Sequence, residues 1–371
     1  MYVDASLSGG SIVVIGAPKR ASAELLLRGD SAATIKQWFH FRVSDVENER
    51  VDLSILNAGE ATFVEGFHNY RALASYDLSD WFRVPTYFDG RRLSIRHRPE
   101  QDTVYYSYFA AYPEDRHNAL VETIDSSPLA RLVTVGRTAL GNPMDVLILG
   151  NEGSSKRRLW IVGRQHPGET MSEWFVEGAL QRLIDEDDEI ARQLLQEAVV
   201  YVVPNANPDG SALGNFRTNA AGRDLNREWA NPSPGASPEV LALRSMMEDT
   251  GCDLFLDVHG EESAPCSFLV GCLGNPHYSE RLYRKERAFA HQLAQKESAF
   301  STEFDYGPDD PGKGDLRIAN NWVGERFDCL SVTLEMPFKD IDRAHGFSPD
   351  RAQQFGHEAV ESLLAVMEEL D

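Results

Sequence analysis

The chain has 371 residues, with 36 Lys plus Arg against 58 Asp plus Glu, a formal net charge of −22. So acidic a chain is a poor match for a nucleic-acid backbone or an anionic membrane surface, and no apolar run reaches the length of a membrane span. Its 42% hydrophobic and 10% aromatic residues suffice for an ordinary globular core, and its length suits two domains.

The start, Met1-Tyr2-Val3-Asp4, lacks the basic stretch and apolar core of a signal peptide. The four cysteines, Cys252, Cys266, Cys272 and Cys329, form no Cys-x-x-Cys pair and read as reduced, mostly buried thiols. The expected location is cytoplasmic. Residues 1–112 read as all-β. Short alternating runs at 11–15, 23–27, 38–43, 51–56, 81–84, 92–97 and 104–110 are broken by turn signals such as Asn57-Ala58-Gly59 and Asp89-Gly90. Strands at that spacing predict a sandwich, whose core accounts for most of the aromatic residues near its end.

Residues 111–117 read as a junction, after which the period changes. Strands at 132–136, 145–149, 159–163, 198–203, 254–258, 268–270 and 330–335 alternate with helices at 171–184, 238–250, 279–296 and 349–370. Ser237-Pro238 opens the second helix as N-cap and first residue, and Gly251 closes it. The alternation predicts an α/β domain over residues 113–371: a mixed or mostly parallel central sheet flanked by helices on both faces.

The strand at 159–163 delivers Arg164-Gln165-His166-Pro167-Gly168-Glu169, and a helix carries the chain away. Open α/β sheets build ligand crevices at such strand ends. An imidazole and a carboxylate three residues apart, His166 and Glu169, can face one zinc ion, and catalytic zinc takes three protein ligands. Asp257-Val258-His259-Gly260, ending another apolar strand, offers His259 as the third. Each piece alone reads as a solvated turn or a satisfied polar group; two such strand ends with further pieces in order point to a metal site.

Those pieces are Asn207-Pro208-Asp209-Gly210, Gly214-Asn215-Phe216-Arg217 and Asp224-Leu225-Asn226-Arg227. Asn226 and Arg227 suit a substrate's terminal carboxylate, because a guanidinium forks onto such a group and an amide adds donors. Arg217 suits a scissile carbonyl and its oxyanion. Singly, each arginine reads as a surface ion pair. Glu335, ending the strand Ser331-Val332-Thr333-Leu334-Glu335, would act as general base on the attacking water if buried beside a metal, or face solvent on an edge strand.

In this order the motifs resemble those of zinc carboxypeptidases of the pancreatic type. Over essentially the whole chain it most resembles the cytosolic carboxypeptidase branch, whose members also place a β-sandwich before the catalytic domain, here in a compact bacterial form. The resemblance implies Zn²⁺ on His166, Glu169 and His259, with Arg217 at the oxyanion. It also implies Asn226 and Arg227 at the terminal carboxylate and Glu335 as base. Gly314-Asp315-Leu316-Arg317 is similar to the segment whose arginine faces an acidic substrate side chain, so Arg317 is expected in that pocket. The other reading pairs Arg317 with Asp315 or Asp310 on the surface. Tyr306 is the candidate for the family's mobile substrate-binding tyrosine. The function expected is a metallocarboxypeptidase acting on peptide or protein C-termini, releasing acidic residues. The alternatives are a zinc deacylase of small N-acyl amino acids and a non-catalytic protein retaining the cleft.

Overall fold

The computed structural model describes residues 1–371 except 152, 154, 155, 308, 342–345 and 368–371. Ten short strands come first. They are β1 (Tyr2–Asp4), β2 (Val13–Ile15), β3 (Ser22–Leu26), β4 (His40–Ser44), β5 (Val51–Ile55), β6 (Leu73–Ser75), β7 (Trp81–Arg83), β8 (Thr86–Phe88), β9 (Leu93–His97) and β10 (Val104–Ser107). They pair in two five-stranded sheets, in the orders β1-β4-β10-β6-β7 and β2-β3-β5-β9-β8. β5 alternates buried and half-buried residues along its length, the mark of a strand with one face in a core. The three strands that periodicity missed, β1, β6 and β8, have three residues each, too few to alternate.

The α/β part follows as α1 (Glu114–Asp125), β11 (Ala130–Arg137), β12 (Pro143–Leu149), β13 (Arg157–Gly163), α2 (Met171–Leu183), α3 (Glu189–Glu197), β14 (Ala198–Val203), α4 (Pro208–Leu213), α5 (Pro238–Thr250), β15 (Leu254–Glu261), β16 (Phe268–Val270), α6 (Glu280–Ala294), α7 (Ala319–Phe327), β17 (Leu330–Pro337) and α8 (Pro349–Met367). The expected last helix is helical through Met367, and 368–370 of its expected span lie outside the described residues. Among the described residues no helix is long and apolar enough to cross a membrane.

One mixed sheet runs β11-β12-β14-β13-β15-β17-β16. Its four central strands are mutually parallel, and β12 and β16 join antiparallel on either side. β14 and β15 are buried at every position, so they read as continuous apolar runs without alternation. Helices α2, α3, α6 and α8 cover one face; α5 and α7 cover the other. From β13 the chain crosses to β14 on one side, and from β15 to β17 on the other. The topological switch therefore falls between β13 and β15, where a crevice opens at their carboxyl ends.

Helices α1, α3, α4 and α7 were missed in the sequence, and for α3 and α7 the causes are identifiable. α3 is amphipathic and capped by Asp188, whose side chain accepts from the Ala191 N–H, but the acidic segment before it reads as loop. α7 opens on Ala319-Asn320-Asn321 with no side-chain cap, and asparagine is a poor helix former. At α5 the cap was right in position and wrong in chemistry: the Ser237 hydroxyl donates to Glu228 instead of serving the helix.

α2 and α8 approach closely at two glycines. A Cβ on Gly178 would lie 1.8 Å from the Gln353 carbonyl oxygen, and one on Gly356 1.8 Å from that of Phe175. The sandwich packs on the same side of the sheet. Tyr108 stacks on Phe338 with centroids 4.6 Å apart. Buried Arg83 donates to the carbonyls of Phe338 and Phe347, at 2.7 and 2.9 Å, and the Lys339 ammonium donates to that of Glu65 at 2.7 Å.

Candidate active site

Directly after β13, Arg164 takes the left-handed backbone conformation at φ 57°, unusual for a residue with a side chain. Its guanidinium holds the turn in place, donating to the Pro167 carbonyl at 2.9 Å, the Tyr112 carbonyl at 3.1 Å and the Glu173 carboxylate at 2.5 Å. The turn presents His166 and Glu169 to the crevice, and the end of β15 brings His259 beside them.

The three side chains converge, with ligand atoms all within 4.8 Å of one another. Glu169 spans both imidazoles: Oε1 is 2.7 Å from His166 Nδ1 and Oε2 is 2.8 Å from His259 Nδ1. The two Nδ1 atoms are 3.1 Å apart. On its far edge each ring has a carboxylate: His166 Nε2 is 3.0 Å from Asp224 Oδ1, and His259 Nε2 is 2.9 Å from Asp257 Oδ2. Such partners hold the proton on Nε2 and turn the Nδ1 lone pair inward, the arrangement that serves a metal-ligating histidine. Two buried inward lone pairs and one carboxylate form a donor set suited to one zinc ion. Burial works against charge on Glu169, yet His166 and His259 hold its carboxyl well below the usual range. Asp224 is likewise held low against burial, by His166, Arg217 and Arg227.

β17 lies next to β15, and Glu335 is the register partner of His259. Glu335 is buried, and its Oε2 has no hydrogen-bond partner. Burial, with Glu169, Glu261 and Asp257, pushes its carboxyl up to about 8 against the pull of His259. A dication at the triad works against that shift and favours the carboxylate.

The cleft around these groups encloses about 910 Å³ and is lined on one side by Asn226, Arg227, Ile318, Asn320 and Asn321. Asn226 is fixed by the Ala319 N–H, which donates to its Oδ1 at 2.8 Å. Arg227 is half-buried beside it. Arg217 donates through Nε to Asp224 at 2.7 Å and lies over the Phe63 ring at 5.6 Å. Residues 62–66 of the sandwich thus form part of the cleft wall.

The structure therefore brings His166, Glu169, His259, Glu335, Arg217, Asn226, Arg227 and Tyr306 into one cleft. Tyr306 is more than half exposed, and its hydroxyl donates to Glu261 Oε2 at 2.5 Å. Arg317 is the correction. Its side chain is 64% exposed and forks onto Asp315, with Nε 2.9 Å from Oδ1 and Nη2 2.7 Å from Oδ2. It does not line the cleft. A carboxylate two residues away in the same turn takes the guanidinium outward, the surface pairing that the sequence also allowed. What reaches inward is the backbone: the Arg317 carbonyl accepts from Trp229 N–H at 3.0 Å. Sequence reasoning passed over Asp224, Asp257 and Gln165, whose amide donates to both Asp257 oxygens at 2.8 and 2.7 Å. All three stand inside the motifs quoted above, one to two residues from a functional side chain.

Comparison with known proteins gives a consistent picture. Residues 3–109 match the model of the cytosolic carboxypeptidase N-terminal domain, and residues 118–364 match that of zinc carboxypeptidase. A protein of Zymomonas mobilis described as uncharacterised is 38% identical over 100% of this chain and 97% of its own length. Human cytosolic carboxypeptidase 6 is 24% identical over 91% of this chain and 72% of its own. The metallo-carboxypeptidase of Pseudomonas aeruginosa, solved in complex with (2-guanidinoethylmercapto)succinic acid, superimposes with a TM-score of 0.96 at 39% identity, covering 100% of both chains. The metallo-carboxypeptidase of Burkholderia cenocepacia gives a TM-score of 0.93 at 39% identity, covering 99% of each chain.

Proposed function

This chain belongs to the zinc carboxypeptidase family, and from that premise we propose how its own residues divide the work of a metallocarboxypeptidase. The observation that carries the reading is the convergence of His166, Glu169 and His259 beside the unpartnered carboxylate of Glu335. Zinc, the metal of this family, fits that donor set and supplies Lewis-acid activation when bound. His166, Glu169 and His259 would hold it, the two imidazoles in tautomers set by Asp224 and Asp257.

In this reading Asn226 and Arg227 grip the terminal carboxylate of a peptide. Arg217 donates to the scissile carbonyl and to the oxyanion as charge develops there. Glu335 takes a proton from the attacking water and delivers it to the leaving amine. Tyr306, on the rim, would contact the bound peptide once its hydroxyl leaves Glu261. A cleft of about 910 Å³ with one wall from the sandwich favours a peptide over a small N-acyl amino acid. Residues 1–112 and 113–371 are proposed as the two domains, and the cytoplasm as the location. Four free cysteines and relatives named cytosolic carboxypeptidases support that location.

Release of acidic end residues is the finer proposal, and it loses Arg317. Arg287 is the cation that still faces this part of the cleft, but Glu286, Asp305 and Asp309 line it too. Three carboxylates outnumber that one guanidinium, so the lining gives an acidic end residue no clear advantage over a neutral one. A panel of peptides differing only in the last residue decides the point. Hydrolysis of none of them by zinc-loaded protein would refute the carboxypeptidase reading. Faster release of glutamate than of leucine, lost in Arg287→Ala, would assign Arg287 to the pocket.

A further inference from the structure

One buried carboxylate in the cleft has no part in the reaction just described. Glu262 follows His259 by three residues, in the segment that leaves β15. It is 6% exposed, lines the cleft, and its Oε1 has no hydrogen-bond partner. Such a group is costly to bury unless something binds it. Its neighbour Glu261 is differently placed: Oε1 accepts from Ser263 and Ala264, and Oε2 from Tyr306.

The position of Glu262 along the cleft follows from its contacts. Asn226 is tied to Ala319, at the end walled by Ile318 and Asn320. Arg217, across the Asp224 carboxylate that Asn226 N–H also reaches, lies over Phe63 on the wall that the sandwich supplies, and there Gly66 backs onto Glu262. A Cβ on Gly66 would stand 2.7 Å from the Tyr108 hydroxyl and 3.1 Å from Glu262 Cβ, so the sandwich packs closely on the stem of this side chain. If the terminal carboxylate sits at Asn226 and Arg227, the peptide runs past Arg217 toward Glu262. Glu262 then meets the part of the substrate that precedes the scissile bond.

Neither cation nearby donates to Glu262 Oε1. Arg217 donates to Asp224 and the Lys339 ammonium to the Glu65 carbonyl. We propose that Glu262, with the sandwich segment behind it, forms a subsite for a cationic group on the N-terminal side of the scissile bond. The cation is the side chain of a lysine or arginine at the preceding residue, or the free amine of a very short peptide. Burial, then Glu169 and Glu261, push the Glu262 carboxyl up, against Arg217. An arriving cation relieves that penalty and supplies the missing partner to Oε1. The proposal rests on the carboxypeptidase reading, which sets the direction of the peptide.

The test uses zinc-loaded protein and N-acetylated peptides with one end residue, differing only in lysine, alanine or glutamate before it. The expected result is kcat/KM for lysine above that for glutamate by roughly 10–100-fold, the worth of a hydrogen bond to a charged group. Glu262→Gln should shrink that ratio to near one, with zinc content and Tm checked on the same preparation. Free-amine and acetylated dipeptides separate the two sources: a gain confined to the free amines identifies the amine as the cation. Binding of the same peptides to Glu335→Gln gives their Kd independently of turnover. Equal Kd and kcat/KM for lysine and glutamate, with no gain for free amines, would overturn the subsite, as would an undiminished ratio in Glu262→Gln. Hydrolysis of no peptide would instead overturn the carboxypeptidase reading, and the Kd series would still judge the subsite.

Discussion

His259 and Glu335 face each other in the register of two neighbouring parallel strands, β15 and β17. A ligand for the metal and the proposed base are thus spaced by a ladder of backbone hydrogen bonds. Both strands are buried along their whole length, so the spacing is held by the core of the sheet. A site on such elements is more closely fixed than one built on loops.

The carboxylates behind the histidines should matter to the metal. His259→Ala should abolish stoichiometric zinc, whereas Asp257→Asn and Asp224→Asn should weaken it by roughly 10–100-fold, as loss of such partners does elsewhere. Zinc content against a graded chelator series measures all three. Full zinc in His259→Ala would remove that residue from the site.

Glu335→Gln should retain zinc and bind peptide with near-normal affinity while kcat falls by roughly 10²–10⁴-fold, the usual share of a general acid–base group. A kcat within a few-fold of the parent would show that another group moves the proton.

Arg317→Ala should change kcat/KM by no more than about twofold on any peptide end, since its ion pair lies on the surface away from the cleft. Arg227→Ala should raise KM strongly for peptides with a free terminal carboxylate and little for their amides. If the two variants exchanged these phenotypes, the assignment of the cleft's cations would be wrong.

His117 lies 2.5 Å from the buried Glu173 carboxylate, which also holds Arg164. Burial works against charge on the imidazole, but Glu173 outweighs it and raises the pKa above 6.5. A raised folded-state value means the stabilisation is complete below the unfolded value near 6.5 and is lost as pH climbs through the folded one. Tm should therefore fall over that window more in the parent than in His117→Asn. Parallel Tm profiles would refute the linkage.

Gly356→Ala should destabilise by about 1–3 kcal/mol, the range for overpacking a filled core. The atom it meets is the backbone oxygen of Phe175, which cannot rotate away. Urea midpoints compare the variant with the parent; no shift would mean that α2 and α8 separate freely.

Much of this was legible in the chain. The buried strands β13 to β17 announce themselves as apolar runs, and His166, Glu169, His259 and Glu335 stand at the end of one or in the turn after it. Asp224 and Asp257 were in plain view in their motifs, but nothing in a one-dimensional pattern says that an aspartate faces the back of a histidine. Arg317 shows the converse. Its spacing suits a pocket, yet Asp315 competes for the guanidinium two residues away, and local hydrogen bonds win where the chain is solvent-accessible. Glu262 gave no signal, because its setting is made by Gly66, 196 positions earlier in the chain.

The buried Arg83 has one acceptor nearby in sequence, the Arg71 carbonyl; the others, on Phe338 and Phe347, come more than 250 positions later. A ribosome releases the sandwich long before it makes those acceptors. Until then the guanidinium must stay hydrated, and the face that will receive β17's exit stays open. The first part of the chain to be synthesised is therefore among the last to be finished, and its completion reports that the strand carrying Glu335 has arrived.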